Sequence, residues 1–478
     1  MTGLDIGIVV AYFLVIIGVG IYSSKRARTS SSYLVAGHRL GYGITFACLS
    51  AVLLGGASTI GSTALGYQYG ISGIWLVSML GLGLALVGIL LVKKIRELDV
   101  LTVAELLTKR FGAKAGVVGA LVSALYTMMV CATQIIAMGT ILQGFAGWDA
   151  ATSMIVVGCI VVVYTILGGM WAITLTDFIQ FILIVVGVMF VMMPICVDAA
   201  GGMNVIRSTL PASYFDITSI GWPVIVQYVF LYCLGALVGQ DLWQRYLTAR
   251  SVEVARRSGV SAGVFILFYA VACTLIGMAA AVYIPGASDP QLVFAEMANR
   301  VLPTGALGIV LAAVLAVLMS TASGTLLASS SLLTNDLVKP ALVYKRTKSK
   351  ASAKEQLEED QLLLRASRRV TACVGAVAIV IAVSLNNVLA ALDVSYAILS
   401  GALFFPIILG MFWKKATAHA ALISIIASSA VILIGLAAMG TTAVEPIMMG
   451  LAVSAVCMVG VSLLEQRGFK GKSPRSAR

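Results

Sequence analysis

A chain of 478 residues that is 60% hydrophobic and only 11% charged, with a mean hydropathy of +1.03, is not an ordinary soluble protein, in which about a quarter of residues carry charge. Long uncharged runs recur near the roughly 20 residues that take a helix across a bilayer, and the short alternating segments of a transmembrane β-barrel are missing. The net charge of +12 does not mark a nucleic-acid binder, because its placement follows a membrane.

Hydropathy divides the chain into thirteen predicted helices, at 3–23, 41–70, 73–92, 115–146, 150–168, 175–198, 221–243, 258–284, 303–336, 369–389, 393–412, 418–439 and 446–464. The alternate connections that would share one side, together with Arg369 at the edge of the longest, hold 30 of the 32 Lys and Arg; the other side keeps only Arg207 and Arg300. By the positive-inside rule the N-terminus is outside and the C-terminus cytoplasmic, as in a multi-pass protein of the cell (inner) membrane. The first helix has KRAR after its apolar core and no basic segment before it, which reads as a retained signal anchor. The eight cysteines lie in apolar runs without CxxC or metal-type spacing, and read as packing residues.

The link 25–40 leads to the second helix, with His38 as a solvated interfacial residue. In that helix Gly55 and Gly56 fall midway, followed by Ser58 and Thr59. The glycines either permit close helix packing or break the span at midplane. A break would turn backbone carbonyls of the 51–54 turn toward a cation. The loop 93–114 contains LTVAELLTKRFG, which reads as a short interfacial helix. Gln134 in the fourth helix is either a substrate contact or an interhelical hydrogen bond.

Asp177 opens the sixth helix, with Thr176 before it and Gln180 a turn later. A carboxylate there is functional, paired, or close enough to the rim to reach water. In the seventh helix Gln227, Tyr228 and Tyr232 lie mid-span, Gly235 and Gly239 allow a bend, and Asp241 and Arg245 are spaced as a helical ion pair. The ninth helix carries Ser320, Thr321, Ser323, Thr325, Ser329, Ser330, Ser331 and Thr334. Hydrocarbon offers hydroxyls no water, so these face protein, a cavity or an ion, or bond back to the preceding turn. The loop 339–369 reads as a solvated, partly helical segment, and the tail 465–478 as a basic strip near anionic headgroups. No P-loop, GxSxG, HExxH or dinucleotide fingerprint occurs. With two distant histidines, His38 and His419, neither a membrane enzyme nor any cofactor is expected.

Five stretches, in order, carry a family resemblance: SSYLVAGHRLG, LGGMWAITLTDFIQ, GQDLWQRYLTAR, AVLMSTASGTLLASSSLLTNDLVK and GALFFPIILGMFWKKAT. With them the chain resembles the sodium:solute symporters, which include proline, pantothenate, sugar, choline and urea transporters. The resemblance implies an all-α polytopic membrane protein with a LeuT-like core of five plus five helices in inverted repeat. The repeats would be 41–198 and 221–412, joined by the extracellular loop 199–220. One extra helix would precede them within 1–40, and two would follow within 413–464. The first helix of each repeat would be broken at midplane.

The resemblance further implies one sodium ion on the carbonyls of Ala51, Leu54 and Val317 and the hydroxyls of Ser320 and Thr321. Oxygen donors suit this hard cation, and neutral dipoles hold it without trapping it. Asp177 matches the family's acidic residue, beside that ion or, with Ser323, at a second sodium or coupling site. Gly55, Ser58, Gln134 and Tyr232 are the pocket candidates. Ser58 stands where sugar-carrying relatives have an amide. Leu53 and Gly239 stand where choline relatives have aromatic cage residues, and Leu53 also where proline relatives have an acid. YQYGISG resembles the urea branch. The expected activity is sodium-driven import, by alternating access, of a small polar solute such as an amino acid, a short carboxylate or a urea-like compound. Its partners would be the solute, sodium and the bilayer, without nucleic acid or a required protein partner. A proton-coupled symporter of the same fold and a membrane solute sensor are the alternatives.

Overall fold

The computed structural model of the protein describes residues 2–24, 29, 33–34, 38–343, 353–385, 387–440, 443 and 445–470. The KRAR stretch after the first helix, residues 344–352 of the long loop and residues 471–478 of the tail lie outside the described residues. Among those described, the chain is helical, and a single parallel bridge joins Leu40 to Ala249. Ten helices are long and apolar enough to cross a membrane, or eleven counting one bent pair. A shorter apolar helix, Tyr42–Leu53, stands beside them. The two longest stretches, Ala57–Glu97 and Ala150–Ala199, turn within themselves. Gly70 (φ 63°) begins a 3₁₀ turn, and Gly169 (φ 54°) kinks the second stretch; both angles favour glycine.

The hydroxyl-rich helix Ala306–Leu332 is the centre of the molecule. The most apolar window of its span is 89% buried, against 22% for the N-terminal helix and 28% for Ala418–Met439. Lipid-facing helices display large apolar side chains outward, among them Leu14, Phe190, Ile434 and Val456. Because lipid is as apolar as leucine, the helices cohere through close packing of small residues. A Cβ on Gly66 would lie 2.5 Å from the Thr274 carbonyl oxygen, so Val252–Tyr283 meets the helix Ser62–Tyr69 backbone to backbone.

The N-terminal helix is fastened to the central one by charge. Asp5 Oδ1 accepts from the amides of Gly305 (2.8 Å) and Gly308 (3.0 Å), satisfying donors at the start of the central helix. Both helices therefore begin at the same face of the molecule and run in parallel. The interfacial helix is Val103–Phe111, where Thr102 accepts from the Glu105 amide and Glu105 from the Leu101 amide, each at 2.9 Å. Gly112 ends it at φ 88°.

Two spans are broken. Tyr42–Leu53 ends at Leu54 (φ −83°, ψ 69°), and the helix resumes after Gly55 and Gly56. Trp222–Val238 and Gln240–Thr248 meet at 45° across Gly239. The long helix Ala113–Ala146 serves both breaks, presenting Gln134 to the first and Tyr126 to the second.

Candidate functional site

At the first break the helix leaves backbone groups unpaired, and side chains take them up. Gln134 Oε1 accepts from the Gly56 amide at 2.6 Å. Ser58 Oγ donates to the Leu53 carbonyl at 2.5 Å. A Cβ at Gly55 would sit 2.6 Å from Gln134 Oε1, so only glycine admits the amide there. Gln134 thus acts as an interhelical bond, one of its two expected roles. Gly55, Ser58 and Gln134 come together, but Tyr232 lies elsewhere, among other tyrosines.

The central helix reaches the same break. Thr321 Oγ1 donates to the Val52 carbonyl (3.0 Å) and, at 3.4 Å, to that of Val317. Ala51 and Leu54, both fully buried, flank the contacted turn. Ser320 Oγ donates to Asp177 Oδ1 at 2.5 Å. Each hydroxyl makes its shorter bond to another helix and keeps oxygen lone pairs free to accept.

Asp177 is fully buried rather than at a wet rim, and its other oxygen meets Arg245 Nη2 at 3.2 Å. Arg245 also approaches the carbonyls of Ser320 (3.5 Å) and Asp241 (3.4 Å). The guanidinium packs directly on Gly324, where a Cβ would lie 2.5 Å from Nη1. The expected Asp241–Arg245 pair is therefore corrected. The half-helix Gln240–Thr248 swings Arg245 onto Asp177, and the Asp241 carboxylate instead accepts from the Tyr126 hydroxyl at 3.2 Å. A buried charge needs its counterion, and only the inter-helix partner supplies one to Asp177. Ser323 bonds back to the Ser320 carbonyl at 3.2 Å and not to Asp177. His38 is exposed, as expected, but its Nδ1 lies 2.5 Å from the Leu247 carbonyl at the end of the same half-helix.

The Tyr232 hydroxyl donates to Asp393. Its ring stacks edge-on with Tyr396 (centroids 5.1 Å apart) and tilts against Tyr228 (5.3 Å), and Tyr396 in turn meets Tyr126 at 5.4 Å. Asp393, Tyr126 and Tyr396 escaped the sequence reading. Hydropathy starts the eleventh helix at 393, which puts the acid on its rim; the helix begins at Val388, capped by Asn387, and carries Asp393 inside the span. An ionisable residue within an apolar run was the available signal.

The model of the sodium:solute symporter family matches residues 33–428. The chain belongs to the sodium:solute symporter family. It is 28% identical to the high-affinity proline transporter PutP of Bacillus subtilis, over 94% of this chain and 95% of that protein. It is 27% identical to the sodium/proline symporter of Staphylococcus aureus, over 90% and 85% of the two chains. Among solved structures, a Na+-coupled sialic acid symporter in a substrate-bound, outward-open state superposes with a TM-score of 0.82 at 20% identity, covering 97% of this chain and 98% of that one. At that identity the likeness shows a shared fold. As a member of the family the chain is a multi-pass membrane transporter rather than an enzyme, and sodium is its coupling ion.

Proposed function

We propose that the chain imports a small polar organic solute by alternating access, with sodium seated where the first broken helix meets the central one. The observation that carries this reading is the Thr321 hydroxyl on the Val52 carbonyl, at the end of the broken half-helix, one residue from the Ser320–Asp177 bond. The carbonyls of Ala51, Leu54 and Val317 and the hydroxyls of Ser320 and Thr321 form an oxygen set that fits a hard monovalent cation. Asp177, touching Ser320, adds charge beside the seat while Arg245 limits it. Ser323, bonded back to the Ser320 carbonyl one turn on, would offer a further oxygen to a second or coupling site beside Asp177. The solute would lie beside the first break, where Gln134 holds the Gly56 amide next to Gly55 and Ser58, with Tyr232 reaching it from the second broken helix.

Dividing the long helical stretches at Gly70 and Gly169, and reading each broken helix as one span, gives thirteen crossings. The repeats 41–198 and 221–412 would then each open with a broken helix, and the N-terminus would lie outside. The parallel start of the first and central helices supports this, since both are odd-numbered crossings.

Each sodium entering down 100 mV contributes about 2.3 kcal/mol, enough for roughly fiftyfold accumulation of solute. Uptake into proteoliposomes with imposed gradients tests the proposal. Accumulation should follow the sodium gradient and collapse when potassium replaces sodium. Accumulation that ignored sodium and followed protons would overturn it.

A further inference from the structure

Ionisable groups inside a bilayer require partners, and most buried acids here have them within the protein. Asp177 has Arg245, and Asp5 caps a helix. Asp241 accepts from the Tyr126 hydroxyl while its own carbonyl meets Arg245, and Asp336 accepts from both the Thr102 hydroxyl and the Asn335 amide. Asp393 differs. Among the described residues it enters no ion pair, and the Tyr232 hydroxyl is its one hydrogen-bond donor. It is half-buried rather than sealed.

Its position is informative. Leu389, one turn before Asp393 on the same face, packs against the first broken helix, since a Cβ on Gly61 would lie 2.8 Å from Leu389 Cδ2. Gly61 stands six residues beyond Gly55, about 9 Å along the helix at 1.5 Å per residue. Tyr396, on the other side of Asp393, meets Tyr232 of the second broken helix. The carboxylate therefore stands between the two broken helices, slightly to one side of the first break. Tyr228, one turn before Tyr232, packs against its ring. The first break itself contributes only Leu53, Leu54, Gly55 and Gly56, so it brings no acid of its own.

A carboxylate repels anionic solutes and offers neutral donors hydrogen bonds alone, whereas a cationic nitrogen gains both the hydrogen bond and the opposite charge. Aromatic faces around it reinforce the preference for positive charge. The geometry points to Asp393, flanked by Tyr228, Tyr232 and Tyr396, as the receptor for a positively charged nitrogen of the transported solute. The substrate is then an amino acid or a betaine, rather than a short carboxylate, urea or a sugar. This inference rests on the symport reading and narrows it.

The full-length chain in proteoliposomes, under an inward sodium gradient, is given an equimolar mixture of amino acids, betaines, short carboxylates, urea and hexoses, and the lumen is assayed by mass spectrometry. The mixture includes L-proline and its nitrogen-free counterpart cyclopentanecarboxylate. Only compounds with a cationic nitrogen should accumulate. Equal accumulation of compounds without one overturns the assignment of Asp393, whereas no accumulation of any compound counts against symport itself. For an accumulated solute, Asp393→Asn should raise half-saturation by about tenfold or more, the scale of losing one charged contact, and Asp393→Glu should largely restore it. Stabilisation of Asp393→Asn by sodium alone should match wild type, which shows a folded protein with its ion seat intact. Unchanged half-saturation in Asp393→Asn, or loss of that sodium effect, would each refute the proposal.

Discussion

Asp177 and Arg245 form an ion pair in which neither side chain is more than 1% exposed. Removing one partner strands a charge in the interior, which typically costs about 3–5 kcal/mol. Asp177→Asn and Arg245→Gln should each lower the thermal midpoint in detergent sharply. The double variant should lose less than the two losses summed, because it strands neither charge. Strictly additive losses would mean that the pair is not coupled. At Ser320 and Thr321 the expected effect is on affinity. Changing both to Ala removes two polar ligands of the proposed ion seat, worth roughly 1 kcal/mol each, so the sodium concentration for half-maximal uptake should rise about tenfold or more. An unaltered sodium dependence would exclude both hydroxyls from the ion seat. Ser320, Thr321 and Asp177 were legible as candidates because hydroxyls and a carboxylate in apolar runs are conspicuous. The Arg245 partnership was not, since 68 residues of sequence separate the two and the i, i+4 spacing to Asp241 offered a nearer partner.

Among the elements, the broken helix is the one whose conformation a single substitution can test. Gly55 touches Gln134 so closely that a methyl group cannot enter without displacing the amide, and overpacking of this kind costs about 1–3 kcal/mol. Gly55→Ala should therefore reduce stability and abolish transport. Adding Gln134→Ala should relieve the clash and recover part of the stability. It should not recover transport, because the Gly56 amide then loses its acceptor. If the double variant transports normally, the break does not depend on that hydrogen bond. The glycine pair and the following hydroxyls marked this break in the sequence. The residues alone foresaw the bend at Gly239 only as an allowance, because a lone glycine permits a bend without requiring one; the family resemblance supplied the expectation of a break in that helix. What enforces it is the packing of Gln240–Thr248, whose nine residues are all buried.

For the molecule as a whole, the charge asymmetry predicts which face meets the cytoplasm. In a cysteine-free background, Arg207→Cys should react with a membrane-impermeant maleimide added to intact cells, and Lys93→Cys should react only after permeabilisation. The reverse pattern would invert the proposed orientation. The parallel packing of the first and central helices requires their starts to share a face, so Leu4 and Gly305, replaced by Cys one at a time, should label alike.

Composition and hydropathy determined on their own that the chain is a helical membrane protein, because burying uncharged runs of bilayer length is a local property that each segment carries with it. Motif order likewise pointed to the transporter family, and the spacing of glycines and hydroxyls to one break and one row of buried hydroxyls. Tertiary structure decided the pairings: Arg245 with Asp177 rather than Asp241, Gln134 with the Gly56 amide, and Tyr232 with Asp393. Each joins helices far apart in the chain. A buried polar group is satisfied by whichever partner folding brings within about 3 Å, and that choice is made by packing, which no stretch of sequence records alone.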